Sequence, residues 1–450
     1  MSINLTKNGR DRNSPPSSVI QRSRNEEERE KFIIHHSALS IHCFASKMKN
    51  KSLLNFPSMN EQPKRICILG GGFGGLYTAL GLSKLPWDNA PKPEIVLIDK
   101  SDRFLFSPLL YELLTGELQT WEIAPPFEEL LADTGVHFLQ AKITGIDAQN
   151  KQVQLENRPD ITCDRLVIAL GGTTPLNLVP GAKEHAIPFR TLEDAYRLQE
   201  KLRFLEESDR DKIRIAIVGG GYSGVELACK LADRLGERGR LRIVERGEDI
   251  LETASEFNRQ AAKKSLEERE IWLDLETTVE AIGADSLSLL HKGQVDTIAT
   301  EIVLWTVGTK ALSLLDSLPF PRSDSNRLKL TPTLQIETYE GIFALGDIAT
   351  TGEKIPATAQ TAIQQADYCA WNIWASLSDR PLLPFRYNSL GEMMTLGIDN
   401  ATLTGLGIKL DGTLAYLARR LVYLYRLPAL KHQLAVGFNW ISQPLIEFLS

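Results

Sequence analysis

Two glycine-rich segments of identical spacing could cradle phosphate groups. They read GGGFGG at residues 70–75 and GGGYSG at residues 219–224, and each follows a short β-branched run. In a G-x-G-x-x-G turn the first glycine permits a tight turn, and the second lets backbone N–H groups reach a pyrophosphate. The third lets the following helix pack closely on the strand. The repetition of the whole pattern favours binding over a glycine turn that is only a turn.

Each glycine segment is followed by an apolar strand that ends in an acid. The strands read IVLID at residues 95–99 and LRIVE at residues 241–245, so the acids are Asp99 and Glu245. An acid about 20 residues beyond such a turn usually accepts hydrogen bonds from a ribose 2′-hydroxyl. Two complete strand–glycine–helix–strand–acid units therefore predict that the chain binds two dinucleotides.

The elements that must position these residues are those of an α/β protein with two Rossmann-like domains. Apolar runs at 161–172 and 302–308 end in small residues, as strands do where they pass beneath a cofactor, and a further strand ends in Gly346-Asp347. The simplest topology inserts the second domain in the first. The predicted boundaries are 64–211 for the first domain, 212–331 for the second, 332–375 for the return to the first and 376–450 for a C-terminal region.

Bulk composition narrows the function further. The 450 residues, 43% of them hydrophobic, suffice for two or three cores. A net charge of −6 and a pI near 5.8 argue against nucleic-acid binding. No uninterrupted apolar run reaches about 18 residues, so no membrane-spanning helix is predicted. The five cysteines are scattered, and their spacing predicts neither a metal site nor a local redox dithiol.

Residues 1–58 differ from the rest of the chain. They carry ten Lys/Arg against five Asp/Glu, whereas the remainder carries 41 against 52. Their polar, aperiodic composition predicts disorder. A targeting peptide is one interpretation, although the acids at 26–30 are atypical of such peptides. The interpretation we favour is that translation starts at Met59.

The C-terminal region is basic and apolar. No acid occurs between positions 411 and 447, whereas Arg419, Arg420, Arg426 and Lys431 lie among leucines and aromatic residues. Four leucines share one helical face through their 3-4-3 spacing: Leu414, Leu417, Leu421 and Leu424. The pattern predicts an amphipathic helix on an anionic membrane surface. The alternatives are a helix docked on its own domain or on the partner of a homodimer.

Together these features resemble the two-dinucleotide-domain flavoproteins, and within them the type II NAD(P)H:quinone oxidoreductases. The Gly-Asp strand resembles their flavin-binding motif, and residues 104–116 resemble the segment after the first ribose-binding acid. Residues 359–365, AQTAIQQ, resemble the A-Q-x-x-x-Q-Q element at the flavin–quinone junction. Residues 391–397 and the helices after them resemble the demethylphylloquinone reductase branch of cyanobacteria and plastids.

The resemblance implies FAD as the cofactor and NADPH or NADH as the electron donor. The positions implied to bind FAD are Gly70, Gly72, Gly75, Asp99, Lys100, Gly171 and Asp347. Those implied to bind the nicotinamide dinucleotide are Gly219, Gly221, Gly224 and Glu245. Those implied to be catalytic are Glu226, near the nicotinamide and flavin, and Gln360 and Gln364, which line the quinone side with Gln365. The alternatives are an acid stabilised by the helix dipole for Glu226 and exposed amides for the glutamines.

The choice of electron donor is left open by two neighbouring residues. The carboxylate of Glu245 accepts hydrogen bonds from a 2′-hydroxyl and repels a 2′-phosphate, which favours NADH. Arg246 beside it could pair with the phosphate, and the resembling branch is associated with NADPH.

The implied function is the passage of two electrons from NAD(P)H through FAD to a membrane prenyl quinone. The branch implies a naphthoquinone such as demethylphylloquinone, in phylloquinone (vitamin K1) biosynthesis, with plastoquinone as a further substrate. It also implies a peripheral protein on the cytoplasmic face of a cyanobacterial plasma or thylakoid membrane, or in a plastid.

Three other functions compete with this one. The first alternative is a respiratory-type type II NADH dehydrogenase. A sulfide:quinone reductase is a weaker rival, because only Cys163 and Cys369 could serve as its redox pair and Arg190 stands where one cysteine is expected. A flavoprotein that acts as a non-enzymatic sensor is the third.

Overall fold

The protein is described by a computed structural model that covers residues 63–87, 92–352 and 355–449, with side chains described up to residue 442. Residues 1–58 lie outside this range. The strands are β1 (Arg65–Leu69), β2 (Glu94–Asp99), β3 (Val136–Gln140), β4 (Ile143–Asp147), β5 (Gln152–Leu155), β6 (Ile161–Thr162), β7 (Arg165–Ile168), β8 (Gly172–Thr173), β9 (Ala186–Pro188), β10 (Ile213–Val218), β11 (Gly239–Val244), β12 (Trp272–Asp274), β13 (Thr277–Ile282), β14 (Ser286–His291), β15 (Gln294–Ala299), β16 (Ile302–Trp305), β17 (Lys310–Ala311), β18 (Leu328–Lys329), β19 (Ile342–Ala344), β20 (Ala349–Thr350), β21 (Glu392–Thr395), β22 (Ala401–Gly405) and β23 (Ile408–Asp411).

The α-helices connect and cover these strands. They are α1 (Phe73–Lys84), α2 (Glu112–Thr115), α3 (Thr120–Ile123), α4 (Phe127–Leu131), α5 (Ala182–His185), α6 (Leu192–Glu206), α7 (Tyr222–Leu235), α8 (Glu256–Glu268), α9 (Ala359–Leu377), α10 (Gly412–Arg426) and α11 (Leu430–Leu449). Short 3₁₀ helices occur at Ser107–Leu109, Gly236–Arg238 and Ser313–Ser317.

The first glycine segment lies in a five-stranded parallel sheet of order β19-β7-β1-β2-β3. Its central strands are continuous apolar runs, and four of the five residues of β1 are buried. Such runs form strands that are covered on both faces, as parallel sheets are. Helix α9, from the predicted return segment, packs on α1. The sheet therefore joins residues 65–168 with residues 342–344.

The second glycine segment lies in a similar parallel sheet of order β12-β11-β10-β16-β9, accompanied by the antiparallel sheet β13-β14-β15. The α/β class with parallel sheets is thus confirmed. One detail differs from the predicted boundary at 211: β9 already belongs to this second sheet, through parallel pairing with β16. The reason is that Ala186 and Ile187 are buried at the edge of that sheet, a tertiary contact that three residues do not announce in sequence.

The C-terminal region forms an antiparallel sheet, β21-β22-β23, followed by α10 and α11. The amphipathic helix predicted from the leucine spacing is present as α10. It ends before Pro428, which lacks the N–H that a helix interior requires. The second helix, α11, has 20 residues. Within the described residues, no helix has the length and apolarity to cross a bilayer.

Candidate active site

The first glycine loop joins β1 to α1 and has the geometry of a phosphate cradle. Gly70 has a φ of +97°, and a Cβ on Gly75 would lie 1.8 Å from the carbonyl oxygen of Gly70. A Cβ on Gly72 would meet open space, and this position lines the cavity described below. The Asp99 carboxylate accepts hydrogen bonds from the N–H of Gly71 at 2.6 Å and from the N–H two residues beyond Asp99 at 2.8 Å. The acid is therefore fixed beside the loop.

The second loop repeats this geometry between β10 and α7. Gly219 has a φ of +109°, and a Cβ on Gly224 would lie 1.9 Å from the Gly219 carbonyl oxygen. Gly221 faces open space. The Glu245 carboxylate accepts hydrogen bonds from the N–H of Gly220 at 2.6 Å and from the N–H two residues beyond Glu245 at 2.8 Å. Asp99 and Glu245 therefore occupy equivalent positions in the two domains.

A cavity of about 1920 Å³ lies between the two domains and the C-terminal region. It exceeds the roughly 300–1,000 Å³ of an ordinary small-molecule site. Eight of the predicted site residues line it: Gly72, Asp99, Lys100, Gly171, Glu226, Asp347, Gln360 and Gln364. Six others are not among its lining residues: Gly70, Gly75, Gly219, Gly221, Gly224 and Glu245. The second domain reaches the cavity through the first turns of α7, at Tyr222, Ser223 and Glu226, and through the end of β16, at Trp305 and Thr306.

Asp347 follows β19 and is held by an arginine from another part of the chain. Its carboxylate lies 2.7 Å from a terminal nitrogen of Arg190, whose other terminal nitrogen donates to the Thr309 hydroxyl at 3.2 Å. Arg190 lies between β9 and α6 and lines the same cavity. Sequence reasoning noted it only as a replacement for a cysteine, because nothing local to residue 190 points toward residue 347.

The three glutamines of α9 use their amides to hold neighbouring backbone. The side-chain amide oxygen of Gln360 accepts hydrogen bonds from the Tyr387 hydroxyl at 3.0 Å and from the Leu390 N–H at 3.1 Å. Gln364 exchanges two hydrogen bonds with the backbone of Asn388. Gln365 does not line the cavity, which corrects the prediction. It is buried with its amide oxygen 2.8 Å from the Gly346 nitrogen, next to the Gly-Asp motif.

Glu226 is the most perturbed carboxyl group at the cavity. It lies in the first turns of α7 with 8% of its surface exposed, and its carboxylate accepts from the Thr395 N–H at 2.9 Å. Burial raises the pKa of Glu226 to about 7, against the opposing effects of Arg419 and the Thr395 N–H. A carboxyl group with that pKa exchanges protons near neutral pH, as general acids and bases do.

Tyr111 connects the two domains beside this carboxyl group. Its hydroxyl donates to the Ser223 hydroxyl at 3.0 Å, and burial raises its pKa well above the usual value. The residue lies within the segment that resembles the family, at 104–116, but no spacing rule distinguishes it from its neighbours. Only the packing of α2 on α7 identifies it.

Helix α10 turns two of its arginines inward, contrary to the prediction that they face a membrane. Arg419 is fully buried, and its guanidinium lies 2.5 Å from the Glu112 carboxylate. Arg420 stacks over the Trp440 ring at 4.4 Å and donates to the Tyr416 hydroxyl at 2.9 Å. Both arginines therefore have their partners within the protein. The buried Glu112 carboxylate is the counter-charge of Arg419, and the aromatic side chains of Tyr416 and Trp440 contact Arg420.

The outward face of α10 and α11 is apolar and exposed. We call it the apolar face, formed by Leu414, Leu417, Leu421, Val422, Tyr425, Leu430, Leu434, Phe438 and Ile441. Near it lies the β22–β23 turn, where Leu406 is 87% and Ile408 is 53% exposed. Leu406, Ile408 and Val422 also line the cavity, so the apolar face is continuous with the mouth of the cavity.

None of the cysteines that the structure describes lines the cavity. Cys369 is fully buried in α9, and burial raises its pKa. Cys163 is half-buried, with its thiol donating to the Lys151 carbonyl oxygen at 3.2 Å. These positions do not supply the pair of thiols beside the cofactor that sulfide chemistry requires.

Comparison with known proteins identifies the family of the chain. The family model described as pyridine nucleotide-disulphide oxidoreductase matches residues 64–366. Demethylphylloquinone reductase of Synechocystis is 58% identical over 399 residues, covering 87% of this chain and 99% of that protein. The alternative NAD(P)H-ubiquinone oxidoreductase C1, chloroplastic/mitochondrial, of Arabidopsis thaliana is 42% identical, covering 87% and 83%.

Solved structures show the same fold at low sequence identity. NDH2 from Plasmodium falciparum, in complex with NADH, superimposes with a TM-score of 0.76 at 18% identity, covering 85% of this chain and 98% of that one. The sulfide:quinone oxidoreductase of Aquifex aeolicus gives 0.69 at 21% identity, covering 80% and 90%. At these identities the likeness establishes architecture and not chemistry.

The family match, the identity to Synechocystis demethylphylloquinone reductase and the two glycine loops agree with one another. They confirm the resemblance seen in the sequence and make FAD and NAD(P)H the cofactors. The chain belongs to the pyridine nucleotide-disulphide oxidoreductase family, on the branch of that Synechocystis protein.

Proposed function

We propose that the protein is an NAD(P)H:quinone oxidoreductase that reduces a membrane naphthoquinone of the demethylphylloquinone type. The observation that carries the proposal is the single cavity reached by both dinucleotide domains and by an apolar C-terminal face. A quinone reductase needs such a junction, because its two substrates differ in solubility. The 58% identity to demethylphylloquinone reductase favours a naphthoquinone, and plastoquinone is the second candidate.

The residues of the first domain fit FAD. Gly72 and Gly171 present open space toward the cavity, and a Cβ at Gly72 would occupy the room that a phosphate needs. Asp99 is oriented to accept from a ribose hydroxyl, and Lys100 beside it lines the cavity. Asp347 would accept from the ribityl hydroxyls at the other end. Gly70 and Gly75 act indirectly, since they permit the turn and the close helix contact.

In the second domain, Gly219, Gly221, Gly224 and Glu245 would bind the nicotinamide dinucleotide by the same device. The chemistry that bound FAD would supply is hydride acceptance from the nicotinamide and two-electron transfer to the quinone. The overall reaction, NAD(P)H plus a proton plus quinone giving NAD(P)⁺ and quinol, needs one proton besides the hydride. We assign that proton to Glu226, because it lines the cavity and its pKa of about 7 permits exchange at physiological pH.

At the quinone end, Gln360 and Gln364 line the cavity and hold the backbone of residues 387–391 in place. Their role is to shape this wall, with apolar side chains of β22, β23 and α10 completing it. The apolar face would lie in the membrane surface, so that a prenyl quinone enters from the bilayer. Since Arg419 and Arg420 point inward, binding would depend on apolar burial more than on charge.

The decisive assay compares NADH and NADPH against benzo- and naphthoquinones with purified protein in detergent. Rapid two-electron reduction of a naphthoquinone supports the proposal. A reduced flavin that persists in the presence of quinone would favour the sensor, and a large loss of activity on Cys163→Ser or Cys369→Ser would favour sulfide chemistry. Preference for NADH with benzoquinones would favour a respiratory dehydrogenase.

Membrane attachment is tested by replacing Leu417 and Leu421 together with Glu, since both are more than half exposed. The variant should lose most co-sedimentation with liposomes and turn over long-chain quinones poorly, with little change for water-soluble quinones. The matched control replaces Leu178 and Phe204 with Glu. Both are also more than half exposed but lie outside the apolar face, so this variant should still sediment. A parent protein that stays in solution as a dimer, split by the Leu417/Leu421 variant, would identify the apolar face as a homodimer interface instead.

A further inference from the structure

Among the described residues, Arg419 is the largest side chain that is fully buried, and it carries a charge. It has 0% exposure although it belongs to an amphipathic surface helix, and Leu417 and Leu421 on either side of it are exposed. One terminal nitrogen lies 2.5 Å from the Glu112 carboxylate. The other donates to the Pro108 carbonyl oxygen at 2.8 Å and lies 3.8 Å from Glu226. A single guanidinium therefore faces carboxyl groups from both dinucleotide domains.

Burial makes these contacts energetically demanding. A buried charge is tolerated only when it is paired, and removal of one partner of a buried pair costs roughly 3–5 kcal/mol. Burial alone would raise the pKa of Glu112, yet Arg419 and Lys230 outweigh it and hold that pKa below the usual range. Glu112 is thus an anion that fixes Arg419, and the second nitrogen of the guanidinium remains directed toward Glu226.

The pairing also leaves polar capacity unused. Within the described residues, neither Nε of Arg419 nor Oε2 of Glu112 has a hydrogen-bond partner. The arrangement places one buried cation beside the carboxyl group that lines the cavity.

Several other groups face Glu226 and must be counted with Arg419. They are Tyr222, Cys229 and Lys230 of its own helix, Tyr111 and Glu112 at the start of α2, Tyr423 of α10 and the N–H of Thr395 in β21. Lys230 is buried but is paired with Glu117. Arg419 is therefore the nearest cation that Glu226 meets from outside its own helix.

We propose that Arg419 is a positioning residue of the active site: through α10 it sets the charge environment in which Glu226 holds and releases its proton, so that the site is complete only when α10 is docked. The inference rests on the proposed quinone reductase function for its consequence in turnover. The predicted effect on the charge of Glu226 depends only on the contacts of Arg419 with Glu112 and Glu226. The membrane-facing helix thus contributes a residue to the chemistry.

The sign of the effect follows from charge. A nearby cation favours the ionised carboxylate, so removal of Arg419 raises the pKa of Glu226. Glu226 is protonated below that pKa. If it supplies the proton to the quinone, turnover falls as pH rises through the pKa, and loss of Arg419 moves this descending limb to higher pH.

The test uses the full-length, FAD-loaded protein and five variants. Infrared spectra follow the C=O stretch of a protonated carboxylic acid against pH, with Glu226→Gln identifying the band. Arg419→Met should raise its midpoint from about 7 by one pH unit or more, the usual size for a neighbouring charge. Arg419→Lys should restore part of the difference. Arg420→Met, which removes a packed arginine of the same helix, should leave the midpoint where it is.

Arg419→Met leaves Glu112 buried without its partner and can fail to fold. The double variant Glu112→Gln with Arg419→Met removes the pair as a neutral unit and should show an upward shift that is smaller, because the Glu112 carboxylate, which itself raises the pKa of Glu226, is lost as well. An unchanged midpoint in the double variant, or an equal shift in Arg420→Met, would overturn the proposal. The pH profile of naphthoquinone turnover should move with the infrared midpoint. A parent without such turnover would refute the proposed function, while the infrared titration would still decide the role of Arg419.

Discussion

The two glycine loops are nearly the same at the level of atoms and differ in what surrounds them. In both, an acid accepts a loop N–H at 2.6 Å and a second N–H at 2.8 Å. The first loop opens on the central cavity, which is also lined by Asp99, Lys100 and Asp347. The second has its acid, Glu245, outside that cavity, which this domain reaches through the first turns of α7 and the end of β16.

The difference teaches how one device serves a resident cofactor and an exchangeable one. A dinucleotide that is anchored at both ends loses less conformational entropy with each further contact, because it is already held in place. We therefore expect it to dissociate slowly. On the proposed assignment the first domain would anchor its dinucleotide within the cavity at both ends, through Asp99 and Asp347, whereas the acid of the second domain, Glu245, lies outside the cavity. We therefore expect equivalent mutations in the two loops to have different consequences.

The largest effect should come from adding one methyl group at the third glycine of either loop. In Gly75→Ala the new Cβ would lie 1.8 Å from a backbone oxygen, and in Gly224→Ala it would lie 1.9 Å from one. Overpacking of this kind costs about 1–3 kcal/mol. Gly75→Ala should be purified with little FAD, whereas Gly224→Ala should retain FAD and show an NAD(P)H KM raised about tenfold or more. Flavin absorbance and steady-state kinetics measure both, and FAD loss from Gly224→Ala would reverse the assignment of the loops.

Asp347→Ala should come next, because it removes the second anchor of the first site. We expect protein with substoichiometric flavin, since the acceptor for the ribityl hydroxyls is lost and Arg190 is left without its carboxylate partner. Asp347→Asn, which keeps an acceptor oxygen, is the control and should retain more FAD. Full flavin stoichiometry in the alanine variant would show that the Gly-Asp assignment is wrong.

The smallest effect concerns the acid of the second loop. Glu245→Gln removes a charge that repels a 2′-phosphate, and it should shift the preference toward NADPH by roughly 1 kcal/mol. The ratio of kcat/KM for NADPH and NADH measures the change. Glu248→Gln removes an exposed charge close by without touching the loop and serves as the control. If both variants leave the ratio unchanged, the ribose is bound elsewhere.

Local patterns sufficed for much of this molecule. A glycine at a positive φ, an apolar run and an acid about 20 residues later are short-range features, and each glycine loop satisfies its geometry largely within its own strand–helix–strand unit. The α/β class, the family and the two cofactors could therefore be predicted from the residues. The leucine spacing likewise predicted an amphipathic helix where α10 lies.

Other features depended on contacts between distant parts of the chain. Glutamines 360 and 364 look like exposed amides until residues 387–391 fold against them. Residues 186–188 carry no sign that they belong to the second sheet. Arg190 pairs with Asp347 because the segment between β9 and α6 lines the same cavity as the end of β19.

Helix α10 shows the division most clearly. Its sequence determined that one side would be apolar and that cations would stand among the leucines, because helical periodicity is a local property. Only the tertiary structure decided that Arg419 faces inward, since that depends on Glu112 and Glu226 lying where α10 docks. Periodicity fixes which residues share a face, whereas the counter-charge that draws one of them into the core lies about 200–300 residues away.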